Sequence, residues 1–162
     1  MKSSGFTIIE LMVTIAIVGI SLSLAVPGFS YLIDRNKMIS SSNVVVGAFN
    51  LARVEATKRG TSINISSIDD SEAGNTWGNG YGIWLDADGD NAYDVGEEIR
   101  QFDAMADNLS LTDAVTSFSF QATGFSAAAG SLELCSSNSD VGGRQISISL
   151  SGRIRSSEIA CP

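Results

Sequence analysis

Hydrophobic residues follow three different patterns along the chain. The first is a continuous run from Leu11 to Ile33, in which no side chain can carry a charge and most residues are Ile, Leu, Val, Ala or Met. A run of about 18 or more such residues is long enough to cross a bilayer as a helix. We therefore predict a membrane-spanning helix behind a short polar leader.

The second pattern is a helical period. Beyond the apolar run, apolar residues recur at three- and four-residue steps, at Val45, Ala48, Phe49, Ala52 and Ala56. Such a stripe is typical of an amphipathic helix that packs on a globular core. Lys58 and Arg59 oppose the macrodipole at a helix C-terminus, and Gly60 supplies a stop. We predict a single long helix from about Phe6 to Arg59.

The third pattern, alternation of apolar and polar residues, begins after Gly60 and predicts β-strands. The predicted strands cover residues 61–68, 81–85, 98–102, 109–111, 115–120, 132–135 and 146–150. In the last of these, Ile146, Ile148 and Leu150 alternate with serines, as in a half-buried strand. Six aromatic residues are predicted to lie in the core, namely Trp77, Trp84, Phe102, Phe118, Phe120 and Phe125.

These patterns together predict an α+β protein. The organisation is a leader (1–5), the transmembrane half of the helix (6–33), its amphipathic half (34–60) and a β-rich head (61–162). Two cysteines, Cys135 and Cys161, predict one structural disulfide in an oxidising compartment. The chain has no histidine. Ser-His-Asp and Cys-His catalysis and the commonest zinc sites are therefore excluded.

Charge is distributed unevenly, although the whole chain carries −8. Residues 69–113 contain twelve acidic residues and one arginine, a net charge of −11. Residues 141–162 contain three arginines and one glutamate, a net charge of +2. The charge pattern therefore predicts a basic site near the C-terminus of an otherwise acidic protein.

Glu10 is unusual for a simple membrane anchor, because an unpaired carboxylate in such a segment costs about 2.5–3.5 kcal/mol or more. A secretory signal peptide, cut after Ser23-Leu24-Ala25, is an alternative, but the apolar run is long for one. The segment Gly5-Phe6-Thr7-Ile8-Ile9-Glu10 resembles the type III signal of type IV prepilins and type II secretion pseudopilins. The resemblance implies that a prepilin peptidase cuts between Gly5 and Phe6 and that Phe6 is then N-methylated. It also implies that Glu10 neutralises the N-terminal amine of a neighbouring pilin.

The head resembles the FimT/GspH group of minor pilins and pseudopilins. The similarity lies in residues 52–59, in Trp77 with residues 80–86, in the acidic turn ending at residues 97–100, and in Gly152-Arg153-Ile154-Arg155. The resemblance implies a type IV pilin-like fold, a long N-terminal helix packed on a β-rich head. It also implies a single-pass protein of the inner membrane with its head in the periplasm, later placed in a pilus or pseudopilus.

Gly152-Arg153-Ile154-Arg155 is the candidate DNA-binding element. If the alternation of the preceding strand continues, Arg153 and Arg155 point outward about 7 Å apart, a spacing close to that of successive phosphates on one strand. Gly152 then lets the backbone turn, and Arg144 is a candidate third contact. In FimT-like minor pilins of transformable bacteria, an element of this kind binds DNA. The alternative interpretation is a solvated strand face.

The acidic turn from Asp86 to Glu97 raises the question of a metal. Its carboxylates at Asp86, Asp88, Asp90, Asp94 and Glu97 occupy positions 1, 3, 5, 9 and 12 of an EF-hand-like loop. Asn91 stands where glycine is expected, and strands rather than helices flank the loop. A polar hairpin loop without Ca²⁺ is the alternative, and no other cofactor is predicted.

The preferred functional prediction is a minor pilin that captures DNA in natural transformation by sequence-independent phosphate contacts. Two alternatives are a structural subunit that primes or caps pilus assembly and a type II secretion pseudopilin of the GspH kind. An enzyme is not expected, because no nucleophile–base pair is present.

Overall fold

A computed structural model describes residues 5–68, 77–94, 96–112, 115 and 117–161, with the backbone alone at residues 24–27 and 112. The first element is helix α1, Ile8–Arg59, which has 52 residues and is about 78 Å long. It begins two residues later than predicted, because Thr7 is its N-cap and forms a capping box with Glu10. It ends where predicted, since Gly60 adopts a left-handed φ of 68° and donates its N–H to the Ala56 carbonyl.

The two halves of α1 have different surroundings. Side chains described between Ile8 and Ser30 are exposed, whereas one face of the helix from Met38 to Ala56 is buried. In the described part of the chain, α1 is the helix long and apolar enough to cross a membrane, by length and composition. The buried face contains the predicted apolar stripe in full, Val45, Ala48, Phe49, Ala52 and Ala56.

The described part of the chain contains eight strands, which form two four-stranded antiparallel sheets on the buried side of α1. Sheet 1 has the order β3-β2-β1-β5, and sheet 2 has the order β4-β6-β7-β8. The strands are β1 (Ile63–Ser67), β2 (Tyr81–Trp84), β3 (Glu98–Phe102), β4 (Leu109–Thr112), β5 (Ser117–Phe120), β6 (Gly130–Ser136), β7 (Gly143–Ile148) and β8 (Ile154–Ile159). A short 3-10 helix, Trp77–Asn79, precedes β2. β2 pairs antiparallel with β3, on either side of the acidic turn.

The core lies between α1 and the inner faces of both sheets. Phe49 is fully buried at its centre, and its ring lies 5.3 Å from that of Phe118 and 5.9 Å from that of Trp77. The indole N–H of Trp77 donates to the Val115 carbonyl, so its polar atom is satisfied. Of the six aromatic residues predicted for the core, four pack in it or against it, and Trp84 is buried outside this cluster, against Tyr93.

Two predictions of burial were wrong. Leu150 remains 58% exposed because β7 ends at Ile148 and the chain turns before Leu150 can reach the core. Phe125 remains 54% exposed because it follows Gly124, whose φ of 79° turns the chain at the surface.

The predicted disulfide is present between Cys135 on β6 and Cys161, which follows β8. It closes a loop with a sequence separation of 26 residues. Gly143 of β7 lies directly beneath it, so close to both sulfurs that a side chain at this position would meet them. The bridge therefore fastens the chain end, and with it β8, onto sheet 2.

Candidate nucleic-acid interface

The Gly-Arg-Ile-Arg element lies in a hairpin rather than in one continuous strand. Gly152 donates its N–H to the Ser149 carbonyl over 2.8 Å, and Ser149 donates to the Arg153 carbonyl over 3.0 Å. Gly152 has a φ of 72°, so the predicted need for glycine at a turn is confirmed. The prediction that the β7 alternation continues through Arg153 was wrong, because the chain reverses before it.

The reversal nevertheless leaves both arginines on one side of sheet 2. The β7–β8 register pairs Ile148 with Ile154 and Ser147 with Arg155. Ile148 is buried and Ile154 packs against the core, so Ser147 and Arg155 belong to the outer face. Arg153 lies two residues before Arg155, just ahead of β8, and its carbonyl still accepts the Ser149 N–H; the spacing of extended backbone places the two arginines toward the same face, about 7 Å apart. Both arginines are exposed, and neither forms an ion pair with a described residue.

Arg53 of α1 braces this hairpin through hydrogen bonds to the turn and to the adjacent loop. Its Nε donates to the Gly124 carbonyl over 2.9 Å, and its Nη2 donates to the Ser151 carbonyl over 3.4 Å. Gly152 lies against the same Gly124 carbonyl, so closely that no Cβ fits there. The arginine pair is therefore fixed to the helix through backbone contacts. No signal in the sequence pointed to this role of Arg53.

The outer face around the pair is rich in hydroxyl groups. Ser131, Ser147 and Arg155 lie side by side on β6, β7 and β8. The Ser149 hydroxyl accepts the N–H of Arg153 over 3.2 Å. Glu133 carries the one carboxylate among the described strand positions of this face. A polyanion on this face therefore meets two guanidinium groups and neutral donors with little opposing charge.

Arg144 does not belong to this group, although it was predicted as a third contact. It pairs with Glu158 in the β7–β8 register and lies on the inner face, in line with Ile146. Its Nε donates to the Ser156 hydroxyl over 3.1 Å. Its side chain lines a groove against Tyr31 and Arg35 of α1. The prediction failed because alternation sends positions 144 and 155, on paired strands, to opposite faces.

The acidic turn between β2 and β3 is held by its own hydrogen bonds. Asp86 accepts the N–H groups of Gly89 and Asn91 through its two oxygens, over 2.7 and 3.2 Å. Asn91 adopts a left-handed φ of 62° at the position where an EF-hand loop has glycine. Tyr93 packs on Trp84, with ring centroids 5.9 Å apart, and its hydroxyl donates to Glu98. The turn is thus anchored on sheet 1.

The carboxylates of this turn include two groups whose oxygens approach within 4.8 Å, Asp86 with Asp88 and Glu97, and Asp88 with Asp90 and Asp94. Glu97 Oε1 accepts the Ala87 N–H over 2.6 Å, whereas Oε2 is buried and has no hydrogen-bond partner among the described residues. The negative charge of Asp90, followed by desolvation and by Asp88 and Glu97, raises the pKa of Asp94. The donors fit a hard cation, and calcium binding remains a prediction.

The predicted processing signal lies at the N-terminal end of α1. Phe6 is 75% exposed, directly after Gly5 and before the N-cap. Glu10 Oε2 accepts the backbone N–H of Thr7 over 3.1 Å and its hydroxyl over 3.0 Å. The Glu10 carboxylate therefore caps the N-terminus of its own helix, and its side chain is exposed at the helix surface.

The chain is similar to known proteins along most of its length. A family model described as type II transport protein GspH matches residues 41–152, and a prokaryotic N-terminal methylation motif matches residues 1–26. A crystal structure of the type IV minor pilin FimU of Pseudomonas aeruginosa is 28% identical, with a TM-score of 0.62, over 75% of this chain and 88% of that chain. A second crystal form is 25% identical, with a TM-score of 0.60, over 73% and 90% of the two chains. No curated protein matches the chain.

A long N-terminal helix packed on an antiparallel head is the fold of type IV pilins, and the methylation motif lies where that class carries it. The GspH model covers more than half of the sequence, and the chain therefore belongs to the GspH family of minor pilins and pseudopilins. This family is structural rather than catalytic. Its subunits are processed as prepilins, and the apolar helix and pilin signal indicate membrane anchoring and a place in a pilus or pseudopilus.

Proposed function

We propose that this chain is a minor type IV pilin that binds DNA for uptake in natural transformation. The observation that carries the proposal is the pair Arg153 and Arg155, which are exposed, on one face and without an ion-pair partner among the described residues. Guanidinium groups at this spacing each hold a phosphate without reading the bases. Binding is therefore sequence-independent and salt-sensitive.

The placement of charge supports this proposal. The acidic turn connects β2 and β3 of sheet 1, whereas the arginine pair lies on β8 and the turn before it in sheet 2. At 0.1 M salt exposed charges act over about 10 Å, so the charges nearest the arginine pair dominate its contact with a phosphate. The overall charge of −8 weakens long-range attraction to DNA but leaves the local contact intact.

The same proposal includes the N-terminal steps. Prepilin peptidase cuts between Gly5 and Phe6, Phe6 is methylated, and Glu10 pairs with the terminal amine of a neighbouring pilin. Before assembly the subunit spans the inner membrane once, through residues 6–33, with residues 61–162 in the periplasm. The exposed apolar surface of α1 and the methylation-motif match support this sequence of events.

The test is binding of mixed-sequence duplex DNA to the full chain in non-ionic detergent micelles, followed by fluorescence anisotropy from low to physiological salt. Arg153→Gln/Arg155→Gln is compared with Lys58→Gln/Arg100→Gln, which removes the same charge elsewhere. We expect the first pair alone to weaken binding strongly. It lowers the slope of log K against log salt by about 1.8, the value for two phosphates.

Two results would redirect the proposal. Equal losses in the two double variants mean that only total charge matters. Absence of binding in the unaltered chain favours a subunit that makes protein contacts alone, as a pilus-priming pilin or a secretion pseudopilin. In cells, the DNA-capture proposal requires that Arg153→Gln/Arg155→Gln abolish transformation while pili remain.

A further inference from the structure

Two apolar side chains are exposed on the head beside the arginine pair. From residue 61 onward, Phe125 and Leu150 are the large hydrophobic residues with more than half of their surface exposed in the described part of the chain, at 54% and 58%. The Ser126 N–H donates to the Leu150 carbonyl over 3.0 Å, so the two segments run side by side. An exposed aromatic ring is thus built into the surface next to the hairpin.

This apolar pair is held in a fixed position relative to Arg153. Gly124 precedes Phe125, and its carbonyl accepts from Arg53 and lies against Gly152. The residue after Gly152 is Arg153. Phe125 thus directly follows Gly124, and Arg153 directly follows Gly152. The two glycines are in direct contact, and Arg53 hydrogen-bonds to both segments. The backbone at Phe125 is therefore held close to the backbone at Arg153.

The exposed area of Phe125 and Leu150 and the charges beside it indicate which kind of ligand covers this apolar surface. Half-exposed Phe and Leu side chains offer roughly 100–200 Å² of apolar surface, far below the ~800 Å² per partner of a standard protein interface. That surface suits a single planar base. The adjacent positive charges select a polyanion, and in single-stranded DNA an unstacked base can lie on an aromatic ring while phosphates contact arginine.

We propose that this site takes single-stranded DNA in preference to duplex DNA, with Phe125 stacking on an unpaired base and Arg153 and Arg155 holding its flanking phosphates. Leu150 covers the edge of the base. The inference rests on the proposed DNA binding and adds a preference to it. In a closed duplex the bases remain stacked on one another, so the ring adds nothing there.

The test compares a mixed-sequence single strand with a dumbbell duplex, whose two ends are closed by loops, on the full chain in non-ionic micelles. Phe125→Ala is expected to weaken single-strand binding about fivefold or more and to leave dumbbell binding unchanged. Phe125→Trp retains the preference. Val54→Ala is the control, because Val54 is an equally exposed apolar residue on α1, at 55%.

The Phe125→Trp variant also gives a direct signal. Trp77 and Trp84 are buried, so the introduced indole is the exposed one and its fluorescence is quenched when a base stacks on it. We expect quenching by the single strand and none by the dumbbell. Thermal melting of each variant checks that it is folded.

The possible failures are distinct. If Phe125→Ala weakens both DNA forms equally, or neither, the stacking proposal is wrong while arginine-dependent binding stands. If Arg153→Gln/Arg155→Gln affects neither form, the proposed function itself fails. If the dumbbell quenches the introduced tryptophan as strongly as the single strand does, Phe125 lies near the DNA without contacting an unpaired base, and the preference is refuted.

Discussion

Replacing Gly152 by alanine tests the packing that positions the arginine pair. Two costs apply. The left-handed φ of 72° is unfavourable for alanine, by about 1–2 kcal/mol. The new methyl group must also displace the Gly124 carbonyl or Arg53, whose Nε is 3.0 Å from the Cβ position, and overpacking of this kind costs about 1–3 kcal/mol.

Gly60 provides a matched control in the same chain. Its φ of 68° is nearly the same, but nothing lies within 4 Å of a Cβ built there. Gly60→Ala therefore has the backbone cost alone, and both variants share the gain of about 0.4–1 kcal/mol from a less flexible unfolded chain. The difference between the two variants isolates the contact with Gly124.

We expect Gly152→Ala to lower the free energy of unfolding by about 1–3 kcal/mol more than Gly60→Ala does. The assay is urea unfolding in non-ionic micelles, followed by the fluorescence of Trp77 and Trp84, which are buried. Equal losses at the two glycines would refute the close packing of the turn against Gly124. In that case the arginine pair is not held to α1 in the way described.

Three further predictions concern the support of the head and its acidic turn. Arg53→Met leaves the Gly124 and Ser151 carbonyls without their side-chain donor. It should cost about 1–3 kcal/mol in urea unfolding, and no loss would show that Arg53 does not brace the hairpin. Cys135→Ser/Cys161→Ser opens the loop with a sequence separation of 26 residues and should cost about 3–4 kcal/mol in the same assay, while an unchanged midpoint would contradict this. The folded-state pKa of Asp94 lies above 3.8, chiefly because of Asp90, so the folded state binds more protons there and stability falls as pH rises through that pKa. Asp94→Asn should therefore raise the melting temperature at neutral pH, with a gain that shrinks toward pH 3.8; Ca²⁺ bound in the turn should remove that gain, and a gain independent of pH would refute the assignment.

The long helix and most strands could be predicted because their signals are local. The apolar run, the stripe from Val45 to Ala56 and the stop at Gly60 depend on neighbours a few residues away. Two cysteines allowed one disulfide, and it is present. Core positions followed from the same periods wherever the strand continued.

The hairpin could not be predicted, because the alternation through Ile146, Ile148 and Leu150 shows no sign of where it stops. Whether position 150 continues the strand depends on Gly152 meeting Gly124 and on Arg53 bonding to residues 71 and 98 positions away. The prediction that Arg144 joins the arginine pair failed for the same reason. Strand pairing decides whether Arg144 and Arg155 lie on the same face of the sheet. Local patterns do not encode such pairings.

The most direct test of DNA binding by the Arg153–Arg155 face is to map the contact on the protein itself. Backbone amide NMR spectra of the full chain in non-ionic micelles are recorded during titration with a short mixed-sequence duplex. The account predicts salt-sensitive shifts at Ser147, Ser149, Arg153 and Arg155, with the Asp86–Glu97 turn and the groove beside Arg144 unaffected. Shifts confined to that groove, or no shifts at low salt, would contradict it.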